Sequence, residues 1–270
     1  MSIVDPIALL TLHGKLEQIA PVFAHVLAAK VELTTQFDTD SLGTFTGEPP
    51  RLKSPEECAL EKAHLAIQLT GFNAGLGSEG SFGPGPYGFG TFNRELIAYV
   101  DAKNGYQVIG HFTGPILVKT IDVKQLEDAQ EFLNDVPHNQ GLVLQLTDEL
   151  STVKKGLTVD EVHSELKQWL ELGAVKLSYD LRAHQCPARQ VHISKAAHNL
   201  AERLLCLCPS CQAPGFWPDS FETGLPCELC HTATDKIKTR IAMCGHCDHT
   251  QMNPVAEAYA QPDFCPRCNP

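Results

Sequence analysis

The chain has 270 residues, 43% of them hydrophobic, and a formal net charge of −11. That length allows one sizeable core and a small satellite domain. So acidic a balance argues against a general nucleic-acid binder, which gains affinity by neutralising phosphates with Lys and Arg. No apolar run approaches the roughly 20 residues that span a bilayer, and Met1-Ser2-Ile3-Val4-Asp5-Pro6 lacks the basic and apolar stretches of a secretion signal. Eleven cysteines without an export signal point to a cytoplasmic setting, where paired cysteines more often bind metal than form disulfides.

In chain order, Ile7–Leu12 reads as a short strand leading into Thr11-Leu12-His13-Gly14-Lys15. Leu16–Ala29 has helical character, with Pro21 as a break or start, and Val31–Leu33 suits a second strand. Ser54-Pro55-Glu56-Glu57 is a helix start, with Ser as N-cap, Pro at the first position and Glu at the third, and the helix runs to about Leu69. Ala74–Leu76 is a strand entering a Gly-rich turn. Leu96–Val100 and Tyr106–Phe112 pair around Lys103-Asn104-Gly105. Val123–Leu133 is expected to be helix and Gly141–Leu146 strand. Thr158, with Glu161 three residues on, caps an amphipathic helix to Leu172. Val175–Tyr179 is a strand and Ser194–Leu205 a last helix. The expected fold class is α/β: a layered mixed sheet with flanking helices over residues 1–203, then a small zinc-ribbon domain over 204–270.

The boundary follows cysteine use. Residues 1–205 hold Cys58 and Cys186, and residues 206–270 hold the other nine cysteines. Eight of these form Cys-x-x-Cys pairs: Cys208/Cys211, Cys227/Cys230, Cys244/Cys247 and Cys265/Cys268. Each such turn aims two thiolates at one tetrahedral ion, and a hairpin supplies the second pair, so the tail is expected to hold two structural zinc ions. An iron site uses the same ligand types. Pairing of sequence neighbours is expected, with cross-bracing of the first pair to the third and the second to the fourth as the alternative. His231, His246 and His249 beside the knuckles are read as surface or supporting residues, since four cysteines complete each site, and Cys206 as a core residue. The tail carries four basic residues against seven acidic ones, which favours a structural or protein-contact module over a phosphate clamp.

Four polar clusters stand out in the first domain. Lys15 precedes a helix and can hold phosphate oxygens. The stretch from Asp38 to Arg51 offers Asp38, Asp40 and Glu48 to a hard cation such as magnesium, and Arg51 to a phosphate. Gly77-Ser78-Glu79-Gly80-Ser81-Phe82-Gly83-Pro84 embeds Glu79 among glycines that permit close approach of a ligand. Finally, Arg182, His184 and Arg189 make a cationic cluster between a strand and a helix, read as anion recognition, with an ion pair of Asp180 to an Arg as the plainer alternative. No Ser/His/Asp triad is evident.

These clusters, with the ending Cys265-Pro266-Arg267-Cys268-Asn269-Pro270, resemble an uncharacterised bacterial family known as a domain of unknown function, over most of the chain. The order of clusters in the first part also resembles the inosine triphosphate pyrophosphatase-like proteins. Lys15, Glu57 with Lys62 and Ala63, Glu79, and Arg182 with His184 follow one another as that family's motifs do. There are departures: His13 stands where Asn is usual, Glu79 lacks an acidic neighbour, Arg-Ala-His replaces Ser-His-Arg, and the tail is foreign to that family. The resemblance implies magnesium on Glu57, Glu79 and Asp40, and phosphate charge stabilised by Lys15, Lys62 and Arg182. The expected function is metal-dependent hydrolysis of a nucleotide or phosphate ester, with Arg51, His184 and Arg189 as further phosphate contacts. The competing reading is a non-catalytic ligand sensor or adaptor whose tail contacts a protein partner. Association with nucleic acid or membrane is not expected.

Overall fold

The structure is a computed structural model, and it describes residues 5–37 and 53–270. The first strand, β1 (Ile7–Leu10), is a fully buried apolar run, as a central parallel strand demands. It pairs in parallel with β2 (Val31–Thr34) on one side and β3 (Ala74–Pro84) on the other. β3 continues through antiparallel hairpins into β4 (Thr91–Asp101) and β5 (Tyr106–Ile116), giving the order β2-β1-β3-β4-β5. The β4–β5 turn uses Gly105 at φ 74°, as the Asn-Gly signal requires.

Three helices cover this sheet. α1 (Leu16–Leu27) and α5 (Pro187–Leu205) share a core with Ile7, Leu9, Leu76, Ile97 and Tyr99 on one face. α2 (Pro55–Thr70) packs on the other face, through Ala66 against Ala8 and Leu10 and through Ala59 against Leu96 and Ala98. The result is a three-layer α/β/α body. α1 runs through Pro21 rather than breaking there, and α5 begins seven residues earlier than the Ser194 expected from sequence.

The Gly-rich stretch is strand, not turn, and its glycines serve the packing. A Cβ at Gly77 would overlap the backbone carbonyl of Ala59, so the bare strand lets α2 lie directly on it. At Gly80 a Cβ would overlap the side chains of Arg189 and Glu95.

Residues 120–179 form a second sheet with its own core. Its order is β6 (Thr120–Val123), β9 (Val175–Tyr179), β7 (Leu142–Leu146), β8 (Val153–Leu157), all antiparallel. Val175, Leu177 and Tyr179 are buried while Lys176 and Ser178 alternate outward, the pattern of a sheet covered on one face. That cover comes from α3 (Gln130–Asn134), through Phe132 and Leu133, and α4 (Val159–Leu172), through Val162 and Leu166. The helix expected over 123–133 is instead the end of β6, a 3₁₀ turn and the short α3.

The tail holds a three-stranded antiparallel sheet, β10 (Ser220–Thr223), β11 (Ile237–Met243) and β12 (Thr250–Pro254). It is tied to the end of α5, where Arg203 donates to both carboxylate oxygens of Asp219 at 2.7 and 2.6 Å. Tyr106 and Phe216 pack against Cys208, Ala213 and Cys244 in one small cluster. Among the described residues no helix is long and apolar enough to cross a membrane.

Candidate functional site

Two places in the molecule gather chemistry. The first is the cysteine tail. Each Cys-x-x-Cys pair sits in a tight turn whose fourth residue after the first cysteine returns a backbone N–H to that cysteine's carbonyl. Gln212 bonds to Cys208, His231 to Cys227, Asp248 to Cys244 and Asn269 to Cys265, at 2.9 to 3.2 Å. Three of those residues, Gln212, His231 and Asp248, have φ near 60°. The turn leaves both thiols on its inner side.

Two four-cysteine groups result: Cys208, Cys211, Cys244 and Cys247, and Cys227, Cys230, Cys265 and Cys268. The pairing is cross-braced, which corrects the expectation that sequence neighbours pair. The physical reason lies in the β11–β12 hairpin, whose tip carries the third knuckle and places it against the first. The nearest sulfurs across each group are 3.8 and 3.6 Å apart in one and 3.9 and 3.5 Å in the other. A tetrahedral ion with metal–sulfur bonds of about 2.3 Å separates its ligands by about 3.8 Å, whereas a disulfide holds them at about 2.05 Å. These are metal-site spacings, and the two groups can hold two metal ions.

The thiol electrostatics agree. Although burial opposes it, the N–H groups of Cys211 and Ser210 pull the Cys208 thiol down to about 7. The Thr232 side chain and N–H pull Cys230 down to about 6, and Cys230 beside it pushes Cys268 up to about 12. Four thiols this close cannot all ionise without a cation among them. The three knuckle histidines have other partners: His246 lies edge-on to Tyr106, His249 against Phe216 and His231 against Tyr259. Cys206 ends α5 half-buried rather than in a core.

The second place is the carboxyl end of the parallel strands. β1 stops at Leu10 opposite Gly77, while β3 runs on to Pro84. From β1 the chain enters α1 on one face; from β2 it crosses to α2 on the other. This divergence is a topological switch point, the crevice where open α/β sheets bind ligands. Beyond Leu10 it leaves a notch beside β3.

Cations reach this notch from both layers. Lys15, the residue before α1, donates to Ser78 Oγ at 3.0 Å and lies 3.5 Å from Glu95 Oε2. Arg189, in the first turn of α5, donates from Nε to Glu95 Oε1 at 2.5 Å and from Nη1 to the Leu181 carbonyl at 2.6 Å. On the other face of β3, Lys62 of α2 is ion-paired to Glu79. All five charged side chains are buried or nearly so, with Glu95 fully enclosed. Among the described residues, three cations stand here against two carboxylates, inside a chain of net charge −11. Burial lowers the Lys15 amine to about 8, with Glu95 opposing the shift. Despite its own burial, Glu95 is held below the usual carboxylate range by Lys15 and Arg189. Its Oε2 has no hydrogen-bond partner among the described residues.

Sequence reasoning missed Glu95 and its supports. Asn93 donates to Glu95 Oε1 at 3.0 Å and to the Ser81 carbonyl at 3.1 Å, while His192 Nδ1 lies 2.9 Å from Asn93 Oδ1. The signal was there: Asn93 and Glu95 share strand parity with Ile97 and Tyr99, which are core. Two polar residues on a core-facing parity need partners.

The other expected site residues among the described ones have contacts of their own. Glu57 is exposed, and its carboxylate accepts from the Ser54 N–H at 2.7 Å in the capping box of α2. Arg182 is held by Asp180 through three side-chain contacts of 2.6 to 3.1 Å, the plainer of the two readings of that cluster. His184 is exposed and stacks on His13 with centroids 5.8 Å apart; burial, then Arg182 and His13, lower its pKa. Asp38, Asp40, Glu48 and Arg51 lie outside the described residues.

Residues 62–270 match a family model described as a domain of unknown function (DUF6671). The chain belongs to that family. The matched span contains Lys62, Glu79, Glu95, Arg189 and all eight knuckle cysteines, and leaves Lys15 outside. No curated protein and no solved structure matches this DUF6671 member.

Proposed function

We propose that this protein binds a phosphorylated small molecule, a nucleotide or related phosphate ester, at the switch-point notch and hydrolyses it with magnesium. The observation that carries the reading is that Lys15 and Arg189 on one face of β3 and Lys62 on the other gather at the same end of the sheet, three cations against two carboxylates among the described residues of an acidic chain. Three buried cations suit phosphate oxygens, which accept charge-assisted hydrogen bonds. Magnesium typically needs only one or two carboxylates plus phosphate oxygens. Glu79 is the carboxylate in place for it, exchanging its contact with Lys62 for one with the ion. The similar order of motifs in inosine triphosphate pyrophosphatase-like proteins supports the same reading. The two four-cysteine groups hold zinc in this proposal, as structural ions in a double ribbon over 204–270, in a cytosol that keeps the thiols reduced.

The test is release of phosphate or pyrophosphate from a nucleotide panel with magnesium, comparing wild type with Glu79→Gln. Turnover is expected, falling at least about tenfold in the variant; no release from any nucleotide, or equal rates, would remove hydrolysis. One observation favours a second reading, a ligand sensor whose tail meets a protein partner. Both notch carboxylates are already engaged by cations, which suits binding without chemistry. Tight nucleotide binding without turnover would select it.

A further inference from the structure

The phosphate-binding reading takes Lys15 as a cation and gives no role to the hydroxyl beside it. Ser78 is nearly buried on β3, and its hydroxyl faces the amine of Lys15 at 3.0 Å. An ordinary buried serine needs only a neutral partner, and an ordinary lysine stands in water. Here the lysine is taken out of water and aimed at the Ser78 hydroxyl. We propose that Ser78 is the nucleophile of this site and Lys15 its general base, so that turnover passes through a phosphoserine at residue 78. This rests on the phosphate-ester reading above and adds the attacking atom to it.

The neutral Lys15 amine takes the Ser78 proton as Oγ forms a bond to phosphorus. The bond from phosphorus to the leaving oxygen breaks, and that oxygen departs with the electron pair and receives the proton from Lys15. Water then attacks phosphorus, the bond from phosphorus to Oγ breaks, one proton of the water passes to Lys15, and Ser78 regains its proton from Lys15. Serine–lysine pairs and desolvated lysines act in this way. Arg189 and Lys62, which both act electrostatically on the Lys15 amine, are the cations assigned to the charge on the phosphoryl oxygens. The groups acting on Lys15 are Glu95 of β4 and Glu79 of β3, which favour its protonated form, and Arg189 of α5 and Lys62 of α2, which disfavour it. Desolvation outweighs them and leaves the amine at about 8, so a usable fraction is neutral near pH 7.

The experiment uses the full chain and a fluorophosphonate probe, which reports an activated serine without knowledge of the substrate. Adduct mass is expected on the peptide containing Ser78, at a rate that rises with pH through about 8. Lys15→Arg keeps the cation but cannot act as a base, and is expected to label at least tenfold more slowly while keeping wild-type metal content and melting temperature. Absence of label on Ser78, or a wild-type rate flat in pH, overturns the proposal; an unchanged rate in a folded Lys15→Arg protein does the same. Should that variant fail to fold, the wild-type pH profile alone decides. Nucleotide turnover that survives Ser78→Ala would sink this inference and leave the hydrolase reading standing. Failure to bind or cleave any nucleotide, with Ser78 still labelled, would sink the phosphate reading instead.

Discussion

The cysteine tail and the switch-point notch solve the same problem in opposite ways. Both hold like charges close together. In the tail the thiols are placed so that a metal ion can be the partner, and the protein contributes four similar turns that depend only on local sequence. In the notch the partners are other side chains, drawn from α1, α2, β3, β4 and α5, and none is a sequence neighbour of the group it compensates. A metal site built from repeated turns is therefore modular, while a site built from long-range ion pairs is bound to the integrity of the whole sheet. Buried pairs gain little over apolar packing, but removing one partner strands the other.

The largest expected effect is on the tail. Chelation should release two ions per chain and abolish amide protection across residues 206–270, while the strands β1 to β5 stay protected, because structural zinc sites typically contribute about 10–16 kcal/mol. Loss of protection across both sheets would erase the contrast between the regions. The cross-brace sharpens it further. Cys208→Ser with Cys244→Ser strikes one group and should leave one bound ion, whereas Cys208→Ser with Cys227→Ser strikes both and should leave none. Metal analysis that finds one ion in the second double variant would restore pairing of sequence neighbours.

Next in size is Glu95→Ala. It leaves Lys15 and Arg189 buried without their shared carboxylate, and should lower unfolding free energy by about 3–5 kcal/mol in urea titration. A change below about 1 kcal/mol would mean that the network is solvated and not an enclosed charge cluster.

A smaller effect follows from the Lys15 proton. Its folded pKa, about 8, lies below the ordinary lysine value of 10.5 that the unfolded chain takes. Between these values the unfolded chain binds more protons, so this group makes stability rise with pH across the window from 8 to 10.5. Below 8 its burial penalty is present in full. Against Lys15→Met, wild type should therefore gain more than about 1 kcal/mol in relative stability over that window. A constant difference would show that the amine keeps its ordinary pKa.

The smallest effect is Glu57→Gln. Loss of the charged half of the capping box should reduce stability by up to about 1 kcal/mol without changing nucleotide affinity. A large loss of affinity would move Glu57 from the helix cap into the site.

How far the sequence spoke differs between the two regions for the same reason. The knuckle ligands were readable because each turn is local, yet their pairing was not, since it depends on where the β11–β12 hairpin carries the third pair. The capped helices α2 and α4 were readable from Ser54 and Thr158. β3 was not, because its glycines look like a turn until α2 is laid against Gly77. Lys15 and Arg189 stood out as charges beside a strand and a helix. Glu95, which joins them, lay unnoticed inside a strand, since strand parity reveals its inward face only when the neighbouring core is known. Arg182 drew attention as a loop cation, but the shortest path for its guanidinium is back to Asp180, two residues away.

The notch is proposed to bind phosphate oxygens. The most direct measurement is a crystal structure of the full chain soaked with magnesium and a non-hydrolysable nucleoside triphosphate analogue. Phosphate oxygens are expected within hydrogen-bond distance of Lys15, Lys62 and Arg189, beside Ser78 and Glu79. An analogue bound at a different part of the molecule, or an empty notch at millimolar ligand, would contradict the claim.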